Sequence, residues 1–497
     1  MGEYFYSQII ESKDGNLIPL CKNKTGQEVA LHSKYNPIRE ADGFSANVDR
    51  SCFFFVILGL AGGYHIQKLL EKCPKAKIIA VETSQVSLDF LSVIPCVKIL
   101  SADKRVSLTS IENLEQILLS KYKPAIHGNL TILSLRQWEN VFSDVAQLAR
   151  DKITKTIKLL ASDFSVQSHF GKIWQKNILS NLSIAEKTKL YKEIQKLSET
   201  NRLQNGLAMQ KTAAIIAAGP SLNEKITLLK ENREKYFIIA TDTAFSALKK
   251  RKIEIDAVVS IDGQMVSHQH YMEGFSKNTL YVFDLCANSS AVRKAVENSQ
   301  NVILAETGHP LAQYASFFSG KQNFIHLEAG SGTVTIAAAS FAKSLGFKHI
   351  EFFGADFSYI DGLPYARGTY LENQFYSKSN RLCPAEKSYS ALMYRTPVKK
   401  ISGNKITTEI LEAYKNSLSD FMAQKQDDTN EKACCGQFVL KDFKSQYCKD
   451  LRKTFKSEDD IDEDSFAFTT LLPLMAKLGK DAAFLAYLNV LRYTERI

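Results

Sequence analysis

From residue 212 onward the chain alternates short apolar runs, at 213–217, 237–240, 257–261, 280–283, 302–304 and 350–353, with stretches of helical periodicity. Each run is long enough for a strand and too short for a helix. Runs of this kind bury both faces at once, so they predict a mainly parallel sheet covered by helices on either side. In such sheets ligands bind outside the carboxyl ends of the strands. The residues that follow each run are therefore the informative ones. With 497 residues, 45% of them hydrophobic, the chain can fill two or three cores of this type.

The first third carries the same rhythm more faintly. A strand at 53–58, a helix at Tyr64–Lys72 and a strand at 76–81 enclose the turn Gly59-Leu60-Ala61-Gly62-Gly63, and Glu82 follows where a Rossmann unit holds a ribose hydroxyl. Ala61 stands where the dinucleotide fingerprint has its second glycine, so the segment reads equally as a tight turn in a non-binding Rossmann-like domain. Between 151 and 203 the pattern becomes Lys/Glu-rich and helical, with Leu159, Leu160, Phe164, Trp174, Ile178 and Leu182 as apolar anchors. After residue 407 it is helical again, at 408–423, 438–455 and 468–493. The division expected is a Rossmann-like domain at 1–150, a helical connector at 151–210, a central catalytic domain at 211–406 and a helical region at 407–497.

Several classes are excluded. The longest apolar run, 52–64, is shorter than the roughly 20 residues that span a bilayer, and the N-terminal segment has no basic stretch before an apolar one, so a cytoplasmic protein with no membrane span is expected. Nine scattered cysteines, including the adjacent Cys434 and Cys435, have no metal-knuckle or redox spacing and read as reduced thiols. The net charge of +10 is spread along the chain, which speaks against nucleic acid and suits an anionic small substrate or an acidic partner. The acidic run 458–464 lacks the glycine and terminal glutamate of a calcium loop and reads as a solvated linker.

The chemistry-bearing residues gather behind the central runs. The first ends in Ala217-Ala218-Gly219-Pro220-Ser221-Leu222-Asn223: glycine lets the backbone approach a ligand, and Ser221 is placed to cap the next helix. The next two end in Asp242 and Asp262, whose carboxylates should face one crevice and could bind hydroxyls, hold a divalent metal or act as base. Gly330, Ser331, Gly332 and Thr333 precede a helix over 334–345 and form an anion-binding nest; no lysine follows them in P-loop form. Asp356 follows the last run, then Tyr365 and Arg367, donors suited to a departing phosphate.

Read together, AAGPSLNEK, ATDTAF, AVVSIDGQ and GSGTVTIAAASFAKSLGFKHIEFFGADFSY resemble the motility-associated factor (Maf) family of flagellin glycosyltransferases, which shares a domain with archaeal hydroxymethylpterin pyrophosphokinase (MptE-like) proteins. The resemblance reaches the stretches ILGLAGGYHIQKLL and SDFSVQSHFGKIWQKNILSNL and fades after about residue 415. The central domain is also similar to bacterial CMP-sialic acid sialyltransferases, which implies a sialyltransferase-like GT-A variant α/β fold. That similarity implies that Gly219, Pro220, Ser221 and Gly330 to Thr333 surround the CMP moiety, that Asp242 and Asp262 meet ribose or the sugar phosphate, and that Tyr365 steadies the leaving phosphate. Two departures stand out: aspartates replace asparagines, and no histidine occurs between Tyr389 and Glu412, where that family has its catalytic one. Asp262, Asp356 and His309 are the substitutes.

The family resemblance implies transfer of a nonulosonic acid of pseudaminic or legionaminic type from its CMP form to Ser/Thr hydroxyls of flagellin. No cofactor is expected beyond the CMP-sugar donor, with a divalent metal the less favoured alternative. A pterin diphosphokinase and a non-enzymatic flagellin-binding factor are the competing readings.

Overall fold

The computed structural model describes residues 6–23, 25–189, 212–299, 301–320, 322–330, 332–424, 437–457, 460–478 and 483–497. Cys434, Cys435, Ser331 and the first two residues of the acidic run lie outside them. The chain forms two compact units, Met1–His169 with Met475–Ala483, and Phe170–Leu474 with Phe484–Ile497.

In the first unit β1 (Tyr6–Glu11), β2 (Leu17–Lys22) and β3 (Glu28–Ala30) make an antiparallel meander. β4 (Phe54–Leu58), β5 (Lys77–Glu82), β6 (Val106–Ser110) and β7 (Leu130–Ser134) make a parallel sheet in the order β6-β5-β4-β7. Successive residues of β4 enter opposite cores: Phe55 and Ile57 join one, Phe54, Val56 and Leu58 the other. A strand buried on both faces must be apolar throughout, which is why β4 reads as a continuous run. β1 to β3, β6 and β7 gave no such run and went unread in the sequence.

The second unit holds a seven-stranded, all-parallel sheet. Its strands are β8 (Thr212–Ile216), β9 (Tyr236–Thr241), β10 (Ala257–Ser260), β11 (Leu280–Asp284), β12 (Val302–Glu306), β13 (Ile325–His326) and β14 (Ile350–Phe353). The order is β13-β12-β11-β10-β9-β8-β14. Six strands are thus laid in one direction, and the chain then returns across the sheet to add β14 outside β8. The helix Val334–Ser344 makes that return, and its buried small residues Ala337, Ala338 and Ala339 let it lie close against Ile215, Ile239 and Val259. Phe341 and Phe421 fill the rest of that face; a fully buried phenylalanine contributes about 1.5–3 kcal/mol. The order reverses between β8 and β14, the topological switch point at which open α/β sheets bind ligands.

Beyond β14 a small antiparallel sheet, β15 (Tyr359–Ile360), β16 (Val398–Ser402) and β17 (Lys405–Thr408), carries the helices Tyr370–Lys378 and Ala385–Met393. The expected connector begins earlier, inside the helix Ser143–Leu182, where Ile178 and Leu182 are buried while Leu159 is 60% exposed and anchors nothing. The expected C-terminal helix over 468–493 is broken into Phe466–Thr469, Leu472–Leu478 and Ala483–Arg496. Among the described residues no single helix is long and apolar enough to cross a membrane.

Candidate functional site

The site is built around the turn that leaves β8. Gly219 N donates to Gly354 O at 2.8 Å, and Ser221 N donates to Asp356 Oδ2 at 2.8 Å. The Ser221 hydroxyl also donates to Asp356 rather than capping the helix Leu222–Glu231, so the expected cap is not made. A Cβ on Gly219 would run into the Gly354 carbonyl and the Asp356 carboxylate, which explains glycine there. Asp356 thereby sets a negative charge at the start of that helix, where the helix dipole favours one. It was expected among the catalytic residues; its bonds instead give it the task of joining the turns after β8 and β14. The next residue, Phe357, holds a positive φ of 46° and is tied by Thr407 Oγ1 to its carbonyl at 3.0 Å. Bulky residues keep such a conformation only where neighbours enforce it.

Tyr365 lies on a strap bound to the same turn. Ala366 N donates to Ala218 O at 2.8 Å and Arg367 N to Asn223 Oδ1 at 2.9 Å. Arg251 Nη1 donates to Arg367 O at 2.8 Å, and Ser246 Oγ to Gly368 O at 3.0 Å. Tyr365 lines a small hollow with Pro364, Thr369, Phe375 and Tyr389. Burial raises its phenol above the ordinary value, with Tyr359 adding to the rise and Arg395 opposing it. The hydroxyl is therefore protonated at neutral pH, as a donor to phosphate must be. The exposed Arg367 guanidinium takes no part in the bonds that hold this strap.

The two aspartates differ. Asp242 opens the helix Asp242–Lys250, is 1% exposed, and accepts from Thr243 N at 2.7 Å, Thr243 Oγ1 at 3.1 Å and Ser260 Oγ at 2.6 Å. The expected ligand-binding role is thus replaced by a structural one, since both oxygens are engaged within the chain. Asp262 is more open: Oδ1 accepts from Gln264 N at 2.9 Å, while its carbonyl accepts from Ser267 Oγ at 3.1 Å and Asn288 N at 3.1 Å. Burial raises the Asp262 carboxyl above the usual carboxylate range; Asp242 adds to the rise, while the Gln264 N–H and His270 oppose it. A carboxylate so raised is a better proton acceptor than an ordinary aspartate. Tyr370, unmarked in the sequence, is pushed up to about 12 by burial first, then by Tyr365, Asp262 and Asp242. Asp242, Asp262, Tyr365 and Tyr370 therefore share one electrostatic neighbourhood at the carboxyl edge, beside the switch point.

This geometry is set against known proteins as follows. A family model described as 6-hydroxymethylpterin diphosphokinase MptE-like matches residues 185–362, which include β8 to β14 and the Asp356 turn. An uncharacterized protein of Treponema pallidum (strain Nichols) is 43% identical over 151 residues, 30% of this chain and 53% of its own length. Another from the same organism is 36% identical over 152 residues, 30% of this chain and 67% of its own length. The chain thus spans about half to two thirds of the curated relatives it matches. The solved structure of a Maf glycosyltransferase from Magnetospirillum magneticum AMB-1 is similar over 99% of this chain and 86% of that one, with a TM-score of 0.54. The central residues thus match the MptE-like domain, the domain found in Maf proteins. At 14% identity, the likeness to the Magnetospirillum protein carries the fold.

Thr333 caps the helix Val334–Ser344, accepting from Thr335 N at 3.3 Å, and Gly330 and Gly332 take left-handed conformations ahead of it. The turn follows β13, so it shares the carboxyl edge with Gly219. Gly330 packs against Ser417 and Ile336, and among the described residues no hydrogen bond joins this turn to the one after β8. His309 is a neutral helix cap: Nδ1 accepts from Leu311 N at 3.1 Å, and burial holds the ring down at about 3. In the other unit Glu82 accepts from Leu60 N at 3.2 Å, Thr83 N at 2.8 Å, Tyr6 Oη at 2.9 Å and Trp138 Nε1 at 2.8 Å. A Cβ on Gly59 would stand 2.6 Å from Trp138 Cγ. Indole thus fills the space between the Gly59 turn and Glu82, where a ribose was expected.

Proposed function

We propose that this chain is a glycosyltransferase that moves a nonulosonic acid of the pseudaminic or legionaminic type from its CMP-activated form to Ser/Thr hydroxyls of flagellin, in the cytoplasm. One observation carries the reading: the Tyr365 strap is hydrogen-bonded directly to the Gly219 turn, which sets a neutral phenolic donor at the carboxyl edge of the sheet. A neutral donor there suits a nucleotide phosphate leaving with negative charge. The donor already carries a good leaving group, so only modest base assistance is needed, and Asp262 is the group whose raised carboxyl fits that task. CMP would lie between Gly219, Pro220 and Ser221 and the Gly330–Thr333 turn.

The description of the matched family model favours a second reading, transfer of a diphosphate to a pterin. Melting the protein with CMP, with a CMP-nonulosonic acid, and with ATP plus magnesium separates the two. Stabilisation by the cytidine ligands, followed by transfer to flagellin, supports the first reading; stabilisation by ATP and magnesium alone, with pterin turnover, replaces it with the second.

A further inference from the structure

The positive charge of this chain is less evenly spread than expected. Residues 376–405 hold seven basic side chains against one acidic, Glu386, and so carry more than half of the net +10. They fall on the two helices and the β16–β17 hairpin that follow the Tyr365 strap. All seven are exposed. Among the described residues Lys399 alone of them has an ion-pair partner, Glu412 at 2.7 Å on the helix Glu409–Ala423. Lys399 therefore looks toward that helix, and Lys400, one residue on, belongs to the opposite face. Lys405 stands across the hairpin from Ser402.

The same segment ends in an unpaired strand. The order β15-β17-β16 leaves β16 with β17 on one side and no strand on the other. Lysines and bulges commonly guard such edges, and the register of β16 does shift between Lys400 and Ser402. A guard has no use for apolar side chains in water, yet Ile401 at the shift is 55% exposed and Tyr394, just before the strand, 60%. The edge is also tied to the site. Phe375 and Tyr389 line the hollow of Tyr365, with their rings 5.5 Å apart, and from the helix of Tyr389 the chain runs through Tyr394 and Arg395 into β16.

We propose that β16 docks an extended acidic segment of the acceptor polypeptide, which adds to the small sheet as a further strand and brings a neighbouring hydroxyl side chain to the Tyr365 hollow. The inference rests on the reading of a protein acceptor given above. In strand addition the main chain supplies affinity and the flanking side chains supply selectivity. Lys400, Lys405 and Arg395 select carboxylates, while Ile401 and Tyr394 cover the apolar side chains between them. An anionic lipid surface would satisfy the charges, but it has no N–H and C=O groups to continue a ladder, so the open edge decides for a polypeptide.

The test uses fluorescent peptides with one Ser/Thr core flanked by glutamates or by glutamines, their binding read by anisotropy without sugar donor. The glutamate peptide should bind about tenfold or more tighter, and the difference should shrink as salt rises. N-methylation of alternate backbone nitrogens should weaken it in one phase of the alternation and spare it in the other, since one side of an added strand meets β16. In Lys400→Glu/Lys405→Glu the acceptor KM for transfer to the glutamate peptide should rise about tenfold, with kcat and the donor KM unchanged. Lys400→Gln/Lys405→Gln provides a second chain if the reversed one does not fold, and the peptide series needs no variant at all. Equal binding of the two peptides, or indifference to N-methylation in both phases, would overturn the proposal. Binding to phosphatidylglycerol vesicles without binding to the glutamate peptide would replace it with a membrane contact. A wild type that binds the glutamate peptide and transfers no sugar overturns the glycosyltransferase reading instead, whereas transfer with an acceptor KM unmoved by charge reversal overturns the docking edge alone.

Discussion

At the scale of single residues, the chain separates groups that serve binding from groups that serve folding. Tyr365 is proposed for the first set: the backbone N–H groups of Ala366 and Arg367 hold the strap, and no hydrogen bond that holds it uses the Tyr365 hydroxyl. Tyr365→Phe should lower transfer about a hundredfold or more, since losing one such donor raises a barrier by about 2.7–4 kcal/mol, with the melting temperature nearly unchanged. Equal turnover would remove Tyr365 from the site. Glu82 belongs to the second set. Burial drives its carboxyl upward, and the donors from Thr83, Trp138, Tyr6 and Leu60 oppose that rise. In Glu82→Gln an amide NH2 would face N–H or O–H donors that need an acceptor. A loss of about 1–3 kcal/mol in unfolding free energy is expected, with transfer by the folded fraction unaltered; slower transfer at full stability would restore a ligand role to the Gly59 turn. The sequence could not make this distinction. An acid after a strand and a glycine-rich turn look alike whether a ribose or an indole fills the space between them.

At the scale of elements, the edge of the large sheet rests on a short strand. β13 is two residues long, and its side-chain anchor is the pair of His326 Nδ1 and Glu306 Oε1 at 2.6 Å. The hydrogen bond to Glu306 raises His326 to about 9 from its ordinary 6.5, against the opposing effect of burial. A histidine raised on folding stabilises fully below about 6.5, and that contribution is lost as pH climbs through about 9. Because the His326 side chain is 43% exposed, solvent screens the pair, and the effect belongs to the melting curve rather than to an energy figure. The melting temperature should fall between pH 6.5 and 9, and Glu306→Gln should flatten that slope. Asp284, raised to about 6 by burial, acts in a separate window, since its contribution fades as pH rises from about 4 to about 6. A slope that survives in Glu306→Gln would show that other groups set it. β13 was illegible in the sequence because Ile325 and His326 are too few to make an apolar run, whereas the six longer runs from 213 to 353 each fall on a strand.

For the whole molecule, the parallel sheet was legible because burial on both faces demands uninterrupted apolar strands, and its carboxyl edge then indicated where to look for chemistry. What sequence could not give is which polar groups at that edge remain available. Asp242 and Asp262 stand in equivalent places after neighbouring strands, yet Ser260 and Thr243 take up the first, and the second is left more open. Tyr370 was missed because it ends no strand. With Asp242 engaged internally, transfer should proceed without a divalent metal: EDTA should leave the rate within about twofold, and abolition by EDTA with rescue by magnesium or manganese would make the aspartates metal ligands instead. The crossing from β13 back to β14 also orders events in time. Ser221 and Asp356, which lock the two turns together, are 135 residues apart. At a synthesis rate of about 5–20 residues per second, roughly 7–27 s pass between their emergence from the ribosome. Throughout that interval the outer side of β8 is a row of unpaired N–H and C=O groups open to other chains. The nascent protein is therefore at its most adhesive just before its crevice can exist, and a product truncated between 222 and 349 would be captured by holding chaperones or aggregate rather than act as a slow enzyme.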